Sequence, residues 1–123
     1  MGQVEGGASL REALGRVRLS RRQRVELVRF LRRLKRELNV TEVYLFGSRV
    51  YGIPLVDSDL DLLVVSEEFG KRSFVENAML VSGLWEGSFT IEAFPYTPAQ
   101  VEAFRERKTV VREAVTKGIR VRL

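Results

Sequence analysis

Val43-Tyr44-Leu45-Phe46-Gly47-Ser48-Arg49-Val50-Tyr51-Gly52 and, six residues later, Asp59-Leu60-Asp61-Leu62-Leu63-Val64-Val65 are the two runs on which the fold turns. Val43 to Phe46 is apolar and short, as a buried strand is. A glycine-bracketed turn follows it, then a loop containing Pro54 and ending at Ser58. The second apolar run opens with two aspartates. Asp59 and Asp61 are two apart, so in a strand both side chains leave the same face. Ionised carboxylates held side by side repel each other unless a cation lies between them. An acid-x-acid step at a strand start, beside a Gly-Ser turn, therefore suggests divalent-metal and phosphate chemistry. In isolation the same step also reads as two solvated aspartates. The upstream turn and the adjacent Ser58 favour the metal.

Working outward, Ser9-Leu10-Arg11-Glu12 fits a capping box for a short helix that stops near Gly15. Ser20 caps a longer helix to about Leu38, with apolar Val25, Val28, Leu31, Leu34 and Leu38 at three- and four-residue steps and Asn39 as a stop. The strands are expected at about Glu42–Phe46 and Leu60–Val65, and the Gly47–Gly52 turn fits one helical turn. Ser73 starts a helix carrying Val75, Ala78, Met79, Val81, Leu84 and Trp85, ended by Gly87. Met79, Trp85 and Phe104 read as core. Ser88 to Phe94 reads as a third strand, with Phe89, Ile91 and Ala93 on one side and Thr90, Glu92 and Phe94 on the other. Thr97-Pro98-Ala99-Gln100 is a strong helix start, and that helix runs to Gly118. Ile119 to Leu123 alternates and adds an edge strand. The expected fold is α+β (α/β-like), a small mixed sheet of three or four strands packed with helices. Residues 1–123 read as one domain, with 1–8 a disordered tail and 9–38 basic N-terminal helices.

Composition narrows the chemistry. The chain has 123 residues, 45% of them hydrophobic, and neither cysteine nor histidine. Disulfides, Cys/His zinc sites, cysteine nucleophiles and Ser-His-Asp triads are excluded. A metal must take oxygen ligands, which points to magnesium or manganese. No apolar run approaches the roughly 20 residues of a membrane span, and the N-terminus lacks a secretory core, so the expected location is the cytoplasm and no membrane partner is expected. Of the net charge of +5, the segment from Arg11 to Arg36 carries +9, with 11 basic residues against Glu12 and Glu26. This face reads either as solvated arginine stems lying over apolar surface or as a docking surface for nucleic acid or an acidic partner. Phe30 is the one interleaved aromatic, which weakens the version in which bases stack.

With the turn, the acid pair and the order of elements in place, the chain resembles the DNA polymerase beta nucleotidyltransferase superfamily, above all its small stand-alone members, the minimal nucleotidyltransferases. The residues that carry the resemblance are Gly47, Ser48, Gly52, Ser58, Asp59, Asp61 and, as a third carboxylate on a later strand, Glu92. The third acid is usually aspartate in that family, and Val50-Tyr51 stands where many antitoxin-type relatives have Ala-Arg. The resemblance implies a nucleotidyltransferase fold. It implies transfer of a nucleoside monophosphate from a nucleoside triphosphate, ATP by preference, to a hydroxyl acceptor, with release of pyrophosphate. It implies Asp59, Asp61 and Glu92 as catalytic acids holding two Mg2+ (or Mn2+) ions, and Gly47, Ser48, Arg49 and Ser58 as the phosphate-binding set. Arg49 also reads as a surface arginine. Glu92 also reads as a solvent-facing residue or an arginine's ion-pair partner.

A built-in acceptor domain is not expected within these 123 residues. Relatives of this size are often encoded beside a helical partner of the HEPN type, which makes a partner protein the expected acceptor. A homo-oligomer is a further expectation. The alternatives are a module that neutralises such a partner by contact alone and a nucleic-acid-binding adaptor.

Overall fold

The computed structural model describes residues 10–52, 59–107 and 109–123. Ser9, the 1–8 tail, the 53–58 loop and with it Ser58 lie outside the described residues. The elements run α1 (Leu10–Gly15), α2 (Arg21–Leu38), β1 (Glu42–Phe46), α3 (Ser48–Tyr51), β2 (Leu60–Val65), a 3-10 turn (Glu67–Gly70), α4 (Phe74–Gly83), β3 (Ile91–Tyr96), α5 (Pro98–Phe104), α6 (Thr109–Lys117) and β4 (Ile119–Arg122). The fold is α+β with one mixed sheet in the order β3-β2-β1-β4. β1 pairs antiparallel with β2 and β4, and β2 pairs parallel with β3.

The two central strands are buried on both faces, which is why they read as continuous apolar runs rather than as alternations. On one face, Val43, Leu45, Leu60, Leu62 and Val64 pack with Leu27, Phe30, Leu31, Leu34 and Leu38 of α2. On the other, Tyr44, Phe46, Leu63, Val65 and Tyr96 pack with Val101, Val111 and Ala114 of α5 and α6. Caps mark the helix starts. Ser20, Ser73 and Thr97 each accept from the backbone three residues on, and Gln23, Glu76 and Gln100 reciprocate. Asn39 ends α2 in the left-handed region at φ 52°, a conformation asparagine tolerates better than most.

Five expectations need correction. Val25 is 51% exposed; the face of α2 that meets the core runs through Leu27, Phe30, Leu31, Leu34 and Leu38 instead. Met79 is not core but 70% exposed, because α4 flanks the sheet beyond β3 and buries only Asn77 and Val81 fully. That helix stops at Gly83, short of the predicted Gly87. Leu84 and Trp85 leave it so that the Trp85 ring meets Phe30 edge-on at 5.1 Å and Phe89 at 5.0 Å, while its Nε1 donates to the Phe89 carbonyl at 2.9 Å. Gly87 lies so close beneath that ring that a β-carbon there would overlap it. Finally, the last helix divides into α5 and α6, since α5 covers Tyr96 while α6 must turn to lie on β1 and β2. β3 correspondingly starts at Ile91 and extends to Tyr96.

Candidate active site

The site forms where β1 ends and β2 begins, because antiparallel pairing sets Phe46 opposite Asp61. Gly47 then turns the chain at φ 96°, where side chains with a β-carbon are strained. A β-carbon on Gly47 would sit 2.5 Å from Asp61 Oδ2. The glycine thus serves two ends: it makes the turn, and it lets the Asp61 carboxylate lie against bare backbone. α3 follows at once, with Val50 and Tyr51 N–H donating to the Gly47 carbonyl at 2.9 and 3.2 Å.

Parallel pairing of β2 with β3 sets Asp61 beside Glu92. Asp59, two residues before Asp61, shares its face. This is the face of the sheet that carries α5 and α6, opposite to α2. Thr90 Oγ1 donates to Asp59 Oδ1, and the Leu60 N–H donates to the Thr90 carbonyl at 3.1 Å, so the segment before β3 orients the first aspartate. Nothing in the local sequence marked Thr90; its role follows from strand register alone. Asp61 is partly buried, and its carboxyl is pushed up to about 6, first by desolvation and then by the charges of Glu92 and Asp59. The charges of Glu92 and Asp59 thus act directly on Asp61.

That donor set is all oxygen and anionic, which fits a hard divalent ion. The convergence is incomplete: among the described residues, no three acidic groups already stand at metal-holding spacing. Asp59 and Glu92 are exposed, and rotation of the Glu92 side chain is the freedom available to close the set.

Arg49 sits elsewhere. It is 7% exposed, its Nη1 donates to the Arg18 carbonyl at 3.0 Å, and its guanidinium lies 5.1 Å from the centre of the Phe89 ring. The Arg18 N–H answers by donating to the Arg49 carbonyl at 2.8 Å. The side chain braces the turn against the α1–α2 connection. A different cation lies near the turn. Lys117 Nζ is 5.9 Å from the Tyr51 ring centre, and the Tyr51 hydroxyl donates to Glu113.

Comparison with known proteins agrees with this fold. The family model described as a nucleotidyltransferase domain matches residues 27–121. A crystal structure at 1.40 Å of a protein from Sulfolobus solfataricus, provisionally assigned as a nucleotidyltransferase, superposes with a TM-score of 0.54 at 20% identity, covering 82% of this chain and 85% of that one. No curated protein sequence matches the chain. Among the described residues, no helix is long and apolar enough to cross a membrane.

Proposed function

Since the chain belongs to the nucleotidyltransferase domain family, we propose that it transfers a nucleoside monophosphate from a nucleoside triphosphate, ATP by preference, to a hydroxyl on a separate acceptor molecule. The acceptor oxygen attacks the α-phosphorus, the bond from that phosphorus to the bridging oxygen breaks, and pyrophosphate leaves. The acceptor's proton passes to Glu92 or to water. The observation that carries this reading is the grouping of Asp59, Asp61 and Glu92 on one sheet face against the bare backbone of Gly47.

Asp59 and Asp61, with Glu92, are the residues that would hold divalent ions, magnesium before manganese. Such ions neutralise the phosphates and stabilise the attacking and leaving oxygens. The chain's own contribution is positioning. Gly47 and Ser48 offer backbone and a hydroxyl to the outer phosphates, and Ser58 belongs to the same set by its place next to Asp59. Arg49 contributes by holding the turn in place, and Lys117 is the nearby cation on α6. The reading of residues 1–123 as one domain is supported by a single sheet and by the family match across most of the chain.

The acceptor proposed is a HEPN-type helical partner protein. The test is incubation of the purified chain with that partner, magnesium and labelled ATP, followed by mass spectrometry of both proteins. Label on the partner that disappears with Asp59→Ala supports the proposal. Asp59 is exposed, so the variant is expected to fold. Equal labelling by the variant would overturn the assignment of the acids. The exposed, unconverged Glu92 favours one second reading, a module that neutralises the partner by contact alone. Protection that survives Asp59→Ala while no label appears would select it.

A further inference from the structure

Two open hollows of about 730 and 660 Å³ lie along α1 and α2. They share Val28 and Arg32 and so join into one trough. Arg29, Arg33 and Arg36 line one part of it, Arg11 and Arg24 the other.

The ion pairs leave most of this charge free. Arg33 pairs with Glu86 at 3.2 Å and Arg36 with Glu37 at 3.5 Å. Arg11, Arg24, Arg29 and Arg32 are exposed and make no ion pair among the described residues. The other acid of α2, Glu26, pairs with Arg22 at 3.3 Å and accepts from the Ser88 N–H at 3.0 Å and its hydroxyl at 2.8 Å. Both acids of α2 are thus engaged away from the four free arginines. Arg29 and Arg32 are three residues apart, and Arg24 is eight before Arg32, which makes steps of about 4.5 and 12 Å along the helix axis.

We propose that this trough binds the phosphate backbone of a nucleic-acid duplex. The guanidinium fork matches phosphate oxygens two at a time, and a duplex presents one negative charge per about 1.7 Å of its axis, enough to face all four arginines. An acidic protein fits less well. Protein interfaces centre on large apolar anchors with charge at the rim, whereas among the described lining residues Val25 is the only strongly exposed large apolar side chain. The surface with a protein-type character is α4, where Phe74, Val75, Met79 and Leu80 are exposed, and it carries none of these arginines. No aromatic side chain lines the trough, so bases do not stack there. No Asn, Gln, Ser or Thr lines it either, so the contacts go to phosphates and different sequences bind alike. The trough lies across the sheet from the acids, and the proposal stands whether or not they transfer a nucleotide.

The test is fluorescence anisotropy of the full chain with labelled DNA and RNA duplexes of roughly 20 base pairs, two helical turns, in chelator and without nucleoside triphosphate. Saturable binding of either duplex is expected, the tighter one identifying the source of the phosphates. Four arginine contacts at about 0.9 each give a slope of about −3 to −4 in log K against log salt, so affinity should fall about 100-fold between about 50 and 200 mM. Arg29→Gln with Arg32→Gln should lower the slope by about 2 and weaken binding about tenfold or more at about 50 mM salt. Both side chains are exposed, and an unchanged urea transition verifies the fold. Arg72→Gln with Arg112→Gln removes the same charge from exposed positions outside the trough and should leave most of the affinity. No binding tighter than about 0.1 mM at about 50 mM salt would mean a solvated face and would overturn the proposal. Equal loss in the two double variants, a single strand that binds more tightly than either duplex, or polyglutamate that binds as tightly as they do would overturn it too.

Discussion

Asp61→Asn should make the protein more stable while abolishing the proposed nucleotidyl transfer. Burial and two neighbouring acids raise the Asp61 carboxyl from 3.8 to about 6. Above that pH the native state holds an ionised group that the unfolded chain accommodates at lower free energy. Roughly two pH units at 1.36 kcal/mol each set an upper bound of about 3 kcal/mol, and partial exposure of the carboxylate lowers that to about 1–2 kcal/mol. The sign is fixed by linkage: between about pH 4 and pH 6 the native state keeps a proton that the unfolded state releases, so the wild type loses stability as pH rises through this window. Below pH 4 both states are protonated and the difference vanishes. Asparagine is neutral throughout. Urea unfolding in chelator should therefore show the variant ahead by about 1–2 kcal/mol at pH 8 and level with the wild type near pH 4. A variant less stable at pH 8, or a gap independent of pH, would refute the picture of a half-buried Asp61 beside two other acids.

Three further outcomes are expected. Gly47→Ala places a β-carbon at φ 96° and against Asp61, so urea unfolding should show a loss of about 1–2 kcal/mol from the backbone alone, and activity should fall further than stability because the carboxylate is displaced. Arg49→Ala removes the bond to the Arg18 carbonyl and the Phe89 contact; calorimetry should show about 1–3 kcal/mol of lost stability, whereas unchanged stability with a raised KM for the triphosphate would return Arg49 to the phosphates. Leu34→Ala, at a fully buried position of α2, should cost about 2–5 kcal/mol, while Met79→Ala on the exposed face of α4 should stay within about 0.5 kcal/mol in the same urea series.

The elements readable in the sequence were those whose signals are local. Caps at Ser20, Ser73 and Thr97, the stop at Asn39 and the twofold spacing of Asp59 and Asp61 are settled within a few residues of chain, and all appear where expected. What was not readable depends on tertiary neighbours. Met79 has the spacing of a core residue, yet α4 lies beyond an edge strand and has too little sheet to cover its whole apolar side. Trp85 continues a helical pattern, yet the Phe30 ring captures it and the helix ends early. Arg49 stands beside a phosphate-type turn, and the local sequence does not announce the carbonyl 31 residues upstream that accepts from its guanidinium. Thr90 reaches Asp59 only through the register of β2 on β3.

The sheet also separates the acid group from the basic face of α2. The acids lie on the face that carries α5 and α6, whereas α2 covers the opposite face and turns Arg24, Arg29, Arg32 and Arg36 away from the sheet. A groove of about 730 Å³ is lined by Arg29, Arg32, Arg33 and Arg36 and includes the exposed Val25. A molecule lying in that groove would be divided from the acids by the thickness of a helix and a sheet, about 20 Å when each layer is taken as roughly 10 Å. The face that holds Asp61 and the outer face of α2 are therefore separate surfaces, and mutation should separate whatever each does. Charge reversal at Arg29 and Arg32 should abolish salt-dependent binding of any polyanion and leave the pH-dependent stability set by Asp61 unchanged. If both moved together, the two faces would have to communicate through the core shared by β1 and β2, and the layered separation of the two surfaces would fail.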